Sequence, residues 1–165
     1  MSRVVAIDPG LRYCGVAVAD SDRLVACALV ANPDKQGRNP EAWASMAKAV
    51  RGWAMLHGPF ARARSETPQV YQPGHHGGKR IDPSDLLQLQ GVVGALSMAF
   101  DGLETVQPAQ WKGQLPKEVC HTRIRARLSP EEIAILDGCV CAASLKHNVA
   151  DAVGILLDTV GRFKR

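Results

Sequence analysis

The fold of this chain is decided by one stretch, Val4-Val5-Ala6-Ile7-Asp8-Pro9-Gly10-Leu11-Arg12-Tyr13-Cys14-Gly15-Val16-Ala17-Val18. Two apolar runs rich in β-branched residues flank a Pro-Gly turn, which predicts a strand, a sharp turn and a second strand. Asp8 ends the first run. Because an unpaired charge is costly in a buried strand, we expect Asp8 to pair with a cation, cap neighbouring backbone or bind a metal. The simpler alternative is that Asp8 only forms the turn together with Pro9 and Gly10.

Length and composition are those of a single globular domain spanning residues 1–165. With 46% hydrophobic and 22% charged residues, the chain can bury a substantial core. No apolar run reaches the length of a membrane span, and the first residues lead into a strand instead of a signal peptide, so we expect a cytoplasmic protein. The formal net charge of +4 is compatible with a polyanionic partner but does not by itself establish one.

The cysteines favour a reducing compartment. Their number is odd, and Cys139-Val140-Cys141 lacks the spacing of a zinc site. We therefore expect reduced thiols instead of disulfides or a metal centre. The five are Cys14, Cys27, Cys120, Cys139 and Cys141.

Short strands come first along the chain, and strands alternate with helices afterwards. Residues 23–30 predict a third strand, so that strands 1 to 3 form an antiparallel meander. The later alternation predicts an α/β fold, a five-stranded mixed sheet with strands 4 and 5 parallel and helices on both faces. The remaining predicted elements are helices over 41–56, 82–100, 116–127, 129–137 and 148–163, strands over 61–65 and 103–106, and a loop at Trp111-Lys112-Gly113.

Three carboxylates follow elements that this topology can bring together. Asp8 ends strand 1, Glu66 ends strand 4, and Asp151 lies near the start of the last helix. If strands 1 and 4 are parallel neighbours, their carboxyl ends meet at one edge, where ligands of such sheets bind. Oxygen ligands without a Cys or His-x-His pattern suit a hard cation, Mg²⁺ or Mn²⁺. Two such ions about 4 Å apart can activate a water and stabilise the leaving oxygen of a phosphodiester.

The motifs around these carboxylates resemble those of the RuvC Holliday junction resolvases, members of the ribonuclease H-like nuclease superfamily. They are Asp8-Pro9-Gly10 with Gly15 behind it, Glu66-Thr67-Pro68 after a strand, and Asn148-Val149-Ala150-Asp151-Ala152 at the start of the last helix. The resemblance covers essentially the whole chain in order, and the shorter resolvase-like proteins of bacteriophages are the most similar. It implies a ribonuclease H-like fold and a metal-dependent endonuclease that resolves junctions by paired phosphodiester hydrolysis with two Mg²⁺ or Mn²⁺ ions.

The same resemblance implies which residues form the site. It assigns Asp8, Glu66 and Asp151 as catalytic metal ligands. Many relatives have an Asp or a His three residues before the last aspartate, where this chain has Asn148, with His147 one residue earlier. His147 and Asn148 share a helix face with Asp151. His147 can be the fourth ligand, a proton shuttle or an ordinary core or capping histidine, and Asn148 can be a weak carbonyl ligand.

The resemblance further implies a homodimer bound to a four-way junction or other branched DNA, with no membrane and no small-molecule cofactor. The helix over residues 82–100 is the expected dimer surface, although it can equally be a core helix. Tyr71 has the place of an aromatic that in the family approaches the junction centre, so it can stack on an unpaired base or simply pack. The expected DNA contacts, which can instead belong to a solvated basic face, are His75, His76, Lys79, Arg80, Lys112, Lys117 and Arg123.

Two other functions stay open at this stage. One is a less selective ribonuclease H-like nuclease acting on flaps, forks or RNA–DNA hybrids, because the motif residues report the chemistry and not the substrate shape. The other is a catalytically degenerate protein that binds branched DNA, which Asn148 favours because an acid is common at that place in the family.

Overall fold

Five strands form the sheet at the centre of this computed structural model, which describes residues 3–35, 38–69 and 82–163. They are β1 (Arg3–Asp8), β2 (Tyr13–Asp20), β3 (Arg23–Ala31), β4 (Arg62–Glu66) and β5 (Glu104–Val106). Across the sheet their order is β3-β2-β1-β4-β5. The pairs within β1 to β3 are antiparallel, whereas β4 runs parallel to both β1 and β5. The predicted mixed sheet is therefore confirmed.

Helices cover both faces of this sheet. They are α1 (Pro40–Met55), α2 (Pro83–Ala99), α3 (Pro108–Trp111), α4 (Lys117–Arg125), α5 (Pro130–Asp137) and α6 (Lys146–Thr159), with a 3-10 turn (Ala143–Leu145) directly before α6. Side chains alternate along a strand, so Val4 and Ala6 join the core beneath α6, while Val5 and Ile7 join the core beneath α1 and α2. Burial on both faces explains why the first strands are near-continuous apolar runs.

The end of the chain departs from the predicted helix over residues 148–163. α6 already begins at Lys146 and ends at Thr159. Gly161, with a φ of +77°, reverses the chain after the helix, and Phe163 returns into the core. The sequence pattern had placed Phe163 in the helix because an apolar residue that returns to the core looks the same as one on a helical stripe.

The predicted loop around Trp111 is also wrong in part. Trp111 is the last residue of the short helix α3, which begins with Pro108. The side chain of Gln110 accepts a hydrogen bond from the backbone N–H of Gln107 and so caps the helix. Trp111 is fully buried and belongs to the same core as α6.

A buried ion pair ties α5 to the end of the chain. Both carboxylate oxygens of Glu132 accept hydrogen bonds from Arg162, and they also accept from the backbone N–H groups of Leu24 and Ser129. Burial on its own raises the pKa of Glu132, but these hydrogen bonds outweigh it and lower the pKa to about 2. The carboxylate is therefore charged and fully partnered although it is only 2% exposed.

α2 packs on the core with one side only. Val92, Val93 and Leu96 are buried, whereas Leu87 is 73% and Met98 is 90% exposed. Core packing, one of the two predicted roles of this helix, is therefore observed. The exposed apolar side chains leave its predicted role at a dimer surface as a prediction.

The five cysteines are free thiols in this structure. Burial raises the pKa of Cys14 to about 12, so this thiol stays protonated near neutral pH. Within the described ranges, no helix is both long enough and apolar enough to cross a bilayer.

Candidate active site

Two of the three predicted carboxylates leave the sheet at the same edge. β1 and β4 are parallel neighbours with Ile7 opposite Ser65. Asp8 and Glu66 are the last residues of these two strands, so they end adjacent strands at one edge. This is the arrangement that the sequence predicts from the order of the elements.

The third carboxylate reaches this edge because β2 has no side chain at Gly15. Gly15 lies opposite Asp8 in the antiparallel pair. A Cβ at Gly15 would lie 2.0 Å from the backbone oxygen of Asn148 and 3.0 Å from the backbone nitrogen of Val149. The first turn of α6 therefore lies directly on the strand beside Asp8, and the same helix carries Asp151.

Asp151 lies close enough to Asp8 and Glu66 for its negative charge to raise the pKa of both. Burial and then the negative charges of Asp151 and Glu66 raise the pKa of Asp8 well above its usual value, against the opposing effect of Lys112 and Lys117. Burial also raises the pKa of Glu66. Such a concentration of desolvated, mutually repelling carboxylates costs folding free energy and is typical of a functional site.

Lys112 is a cation that contacts two of these carboxylates, Glu66 and Asp151. Its Nζ lies 3.5 Å from Oε2 of Glu66 and 3.9 Å from Oδ2 of Asp151. Although burial lowers the pKa of Lys112, the charges of Glu66, Asp151 and Asp8 outweigh it and raise the pKa. Lys112 is thus a fixed positive charge at neutral pH. Its predicted contact with DNA stays a prediction.

Trp111 holds Glu66 from the core side. Its Nε1 donates a hydrogen bond of 2.7 Å to Oε2 of Glu66. The indole lies against Gly154 of α6, where a Cβ would come within 2.4 Å of the ring. Nζ of Lys112 lies 4.8 Å from the centre of the same ring. One buried aromatic therefore positions both the carboxylate and its lysine.

His121 is a site residue that the sequence analysis missed. It lies on α4, and its Nε2 is 3.0 Å from Oδ1 of Asp151. The spacing in α4 could have indicated it, because His121 is four residues after Lys117 and so shares a helix face with a residue already expected at the site. No acidic or metal-binding motif surrounds His121 in the sequence, so no motif marks it as a site residue.

The structure also places His147, Asn148 and Lys117 around the first turn of α6. The pKa of His147 is lowered by burial and by the charge of Lys117, and Asp151 partly opposes this. These effects place His147 near both residues. Asn148 contacts Gly15 through its backbone oxygen. The ligand roles expected of His147 and Asn148 stay predictions.

The other described basic residues include one exposed arginine on α4 and three arginines that pair with acidic side chains. Arg123 is exposed on α4, two residues from His121. Three further arginines, which are not among the predicted DNA contacts, are bound by acidic side chains of this chain, and this pairing lowers their capacity to contact phosphate. The pairs are Arg62 with Glu104, Arg64 with Asp158 and Arg125 with Asp137.

Part of the predicted DNA-binding surface lies outside the described residues. This applies to Tyr71, His75, His76, Lys79 and Arg80. Their proposed contacts with DNA stay predictions from the sequence.

The donor set at this edge suits a hard divalent cation. Carboxylate oxygens are the ligands that Mg²⁺ and Mn²⁺ prefer. A bound cation would offset both the burial and the repulsion from Asp151 and Glu66 that raise the pKa of Asp8. As the side chains stand, no three His, Cys, Asp or Glu residues within 3–35, 38–69 and 82–163 are grouped closely enough to hold an ion. Lys112 is the counter-charge in this arrangement.

Comparison with solved structures identifies proteins with the same fold. RuvC of Thermus thermophilus matches with a TM-score of 0.60 and 18% identity, over 94% of this chain and 91% of RuvC. A second structure of that RuvC, in complex with a Holliday junction substrate, matches with a TM-score of 0.56 and 16% identity, over 95% of this chain and 91% of that one. The yeast mitochondrial Holliday junction resolvase Ydc2 matches with a TM-score of 0.61 and 13% identity, over 98% of this chain and 80% of Ydc2.

These similarities establish the fold at the level of architecture. At such identities they confirm the predicted ribonuclease H-like sheet in the arrangement that RuvC has. No protein-family model and no curated protein sequence matches the chain.

Proposed function

We propose that this chain is a metal-dependent endonuclease that resolves four-way junctions or other branched DNA by paired phosphodiester hydrolysis. One observation carries the proposal. Asp8, Glu66 and Asp151 come from three separate elements to one edge of a RuvC-like sheet, although their repulsion is costly there. A purely structural role would not require three desolvated carboxylates around one lysine.

Asp8, Glu66 and Asp151 are the proposed ligands of Mg²⁺ or Mn²⁺, with Asn148 or His147 as a fourth. When bound, such ions would activate water and neutralise charge on a phosphodiester, and two ions per site fit the expected chemistry. The protein residues have their own tasks. Trp111 orients Glu66 through its 2.7 Å hydrogen bond.

Lys112 and Lys117 supply the positive charge that a phosphate requires. The raised pKa of Lys112 keeps it protonated, so it acts as a charge and not as a base. Lys117 is exposed at the start of α4, and its charge reaches both Asp8 and His147. We propose that both lysines contact the DNA backbone next to the carboxylates, with Arg123 further along the same helix.

The proposed assembly is a homodimer in the cytoplasm, since paired cleavage of a symmetric junction needs two sites. The exposed face of α2 supports this part of the proposal. Leu87, Gly94 and Met98 are exposed and share one face of the helix, because they are spaced by seven and four residues.

The substrate is tested by cleavage of a synthetic four-way junction with Mg²⁺ or Mn²⁺, beside a linear duplex, a flap and an RNA–DNA hybrid of matched sequence. The proposal expects paired symmetric nicks confined to the junction. Equal cutting of all branched or hybrid substrates would instead identify a less selective nuclease with the same site. Binding of the junction without any metal-dependent product would identify a degenerate DNA-binding protein and refute the proposed enzyme.

A further inference from the structure

We infer that His121 is a positioning residue, which binds one oxygen of Asp151 so that the other faces the cation site shared with Glu66 and Asp8. This inference rests on the proposed function and deepens it. It concerns a residue that no sequence motif marks and that contacts the site from a separate helix.

The two oxygens of Asp151 have different partners. Oδ1 lies 3.0 Å from Nε2 of His121, whereas Oδ2 lies 3.9 Å from Nζ of Lys112. Nζ of Lys112 also lies 3.5 Å from Oε2 of Glu66, so Oδ2 is the oxygen of Asp151 that faces the ammonium shared by the two carboxylates. His121 therefore contacts Oδ1 of Asp151, which leaves Oδ2 directed to Lys112 and Glu66.

A carboxylate needs such a partner if its orientation is to be defined. The last torsion of an aspartate is broad and has no sharp rotamer wells, so backbone position alone does not select which oxygen faces the site. A hydrogen bond from a fixed donor does select it. Outer partners of this kind typically change metal affinity or activity about 10- to 100-fold when they are removed.

The donor itself is fixed by packing. Cys120 and Ile124, on either side of His121 in α4, are buried. Ile124 reaches Gly154 of α6, where a Cβ would come within 2.8 Å of its Cδ1. α4 and α6 are thus in direct contact, so the backbone of His121 cannot drift relative to that of Asp151.

The test compares three variants by two readouts. His121→Leu removes the donor and keeps apolar bulk, whereas His121→Gln keeps an N–H donor at a similar reach. His57→Gln is a matched control, because His57 packs on Trp53 near Arg3, at the end of β1 opposite to Asp8. The first readout is the shift of the melting temperature of DNA-free protein with increasing MgCl₂ or MnCl₂. The second is the metal concentration that gives half-maximal cleavage, measured together with KM for the DNA that the wild type cuts.

We expect His121→Leu to raise the metal concentration for half-maximal response about 10- to 100-fold in both readouts, with little change in KM. His121→Gln should recover most of this loss, and His57→Gln should match the wild type. Equal metal responses of His121→Leu and wild type would overturn the inference while leaving the proposed function intact. A wild type without any metal response would overturn the metal site itself, and the inference with it.

Discussion

Gly15→Ala tests how closely α6 must approach the sheet for the site to form. The added Cβ would lie 2.0 Å from the backbone oxygen of Asn148 and 2.5 Å from its carbonyl carbon. Both atoms belong to the backbone, so no side chain can rotate away. Moving the oxygen out to an ordinary contact of 3.4 Å requires a displacement of about 1.4 Å at the start of α6.

This displacement acts on stability and on activity separately. Overpacking of this kind costs about 1–3 kcal/mol of unfolding free energy. Because Asp151 lies in the next turn of α6, the same shift moves it relative to Asp8, and a misplacement of about 1 Å can cost about 100-fold in rate. We therefore expect a lower melting temperature and at least a tenfold slower metal-dependent cleavage.

Gly52→Ala is the matched control, because a Cβ there meets nothing within 4 Å. Gly52 lies in the interior of α1, so alanine should stabilise the protein by about 0.5–1 kcal/mol. Thermal unfolding and cleavage are measured for both variants under the same conditions. If Gly15→Ala unfolds and cuts like the wild type, close approach of α6 to β2 is not what assembles the site.

Two further predictions concern stability and assembly. Glu132→Gln should lower the free energy of unfolding by about 3–5 kcal/mol at neutral pH, because it leaves Arg162 without its charged partner. The pKa of Glu132 is about 2 in the folded protein and ordinarily near 4.5, so this loss, measured by urea unfolding, should persist above pH 4.5 and shrink as the pH falls towards 2. A loss that does not depend on pH would contradict the role of the carboxylate charge. If the proposed homodimer forms through α2, Met98→Glu should shift it towards monomer in sedimentation. Leu56→Glu, which changes another highly exposed apolar residue outside α2, should leave the dimer intact. A Met98→Glu variant that stays dimeric would contradict an interface on α2.

The sequence was sufficient for the sheet and for the positions of Asp8 and Glu66 at the ends of its strands, because both depend on local patterns. The apolar runs around Asp8 define the first hairpin, and the alternation of strands and helices allows β4 to be the parallel neighbour of β1 that the structure shows. Asp151 could be expected from its helix motif. Asp151 comes close to the site because Gly15 has no side chain that would hold α6 away from β2. The sequence does not show which helix packs against Gly15, so this contact could be recognised only in the structure.

The sequence was not sufficient for the contacts between distant elements. Lys112 follows α3, and its place between two carboxylates depends on Trp111 packing against Gly154 of α6. His121 reaches Asp151 because α4 and α6 pack through buried side chains. Such contacts join residues far apart in the chain, and neither periodicity nor motif spacing reports them.

The most direct test of the central claim compares wild type with Asp8→Asn on a synthetic four-way junction in Mg²⁺ or Mn²⁺, with binding and cleavage measured on the same samples. Asn keeps the size of the side chain but removes the charge that a metal ligand requires. The account predicts that the variant binds the junction as the wild type does and produces no cleavage. Undiminished cleavage by Asp8→Asn would contradict the assignment of the three carboxylates as the catalytic site.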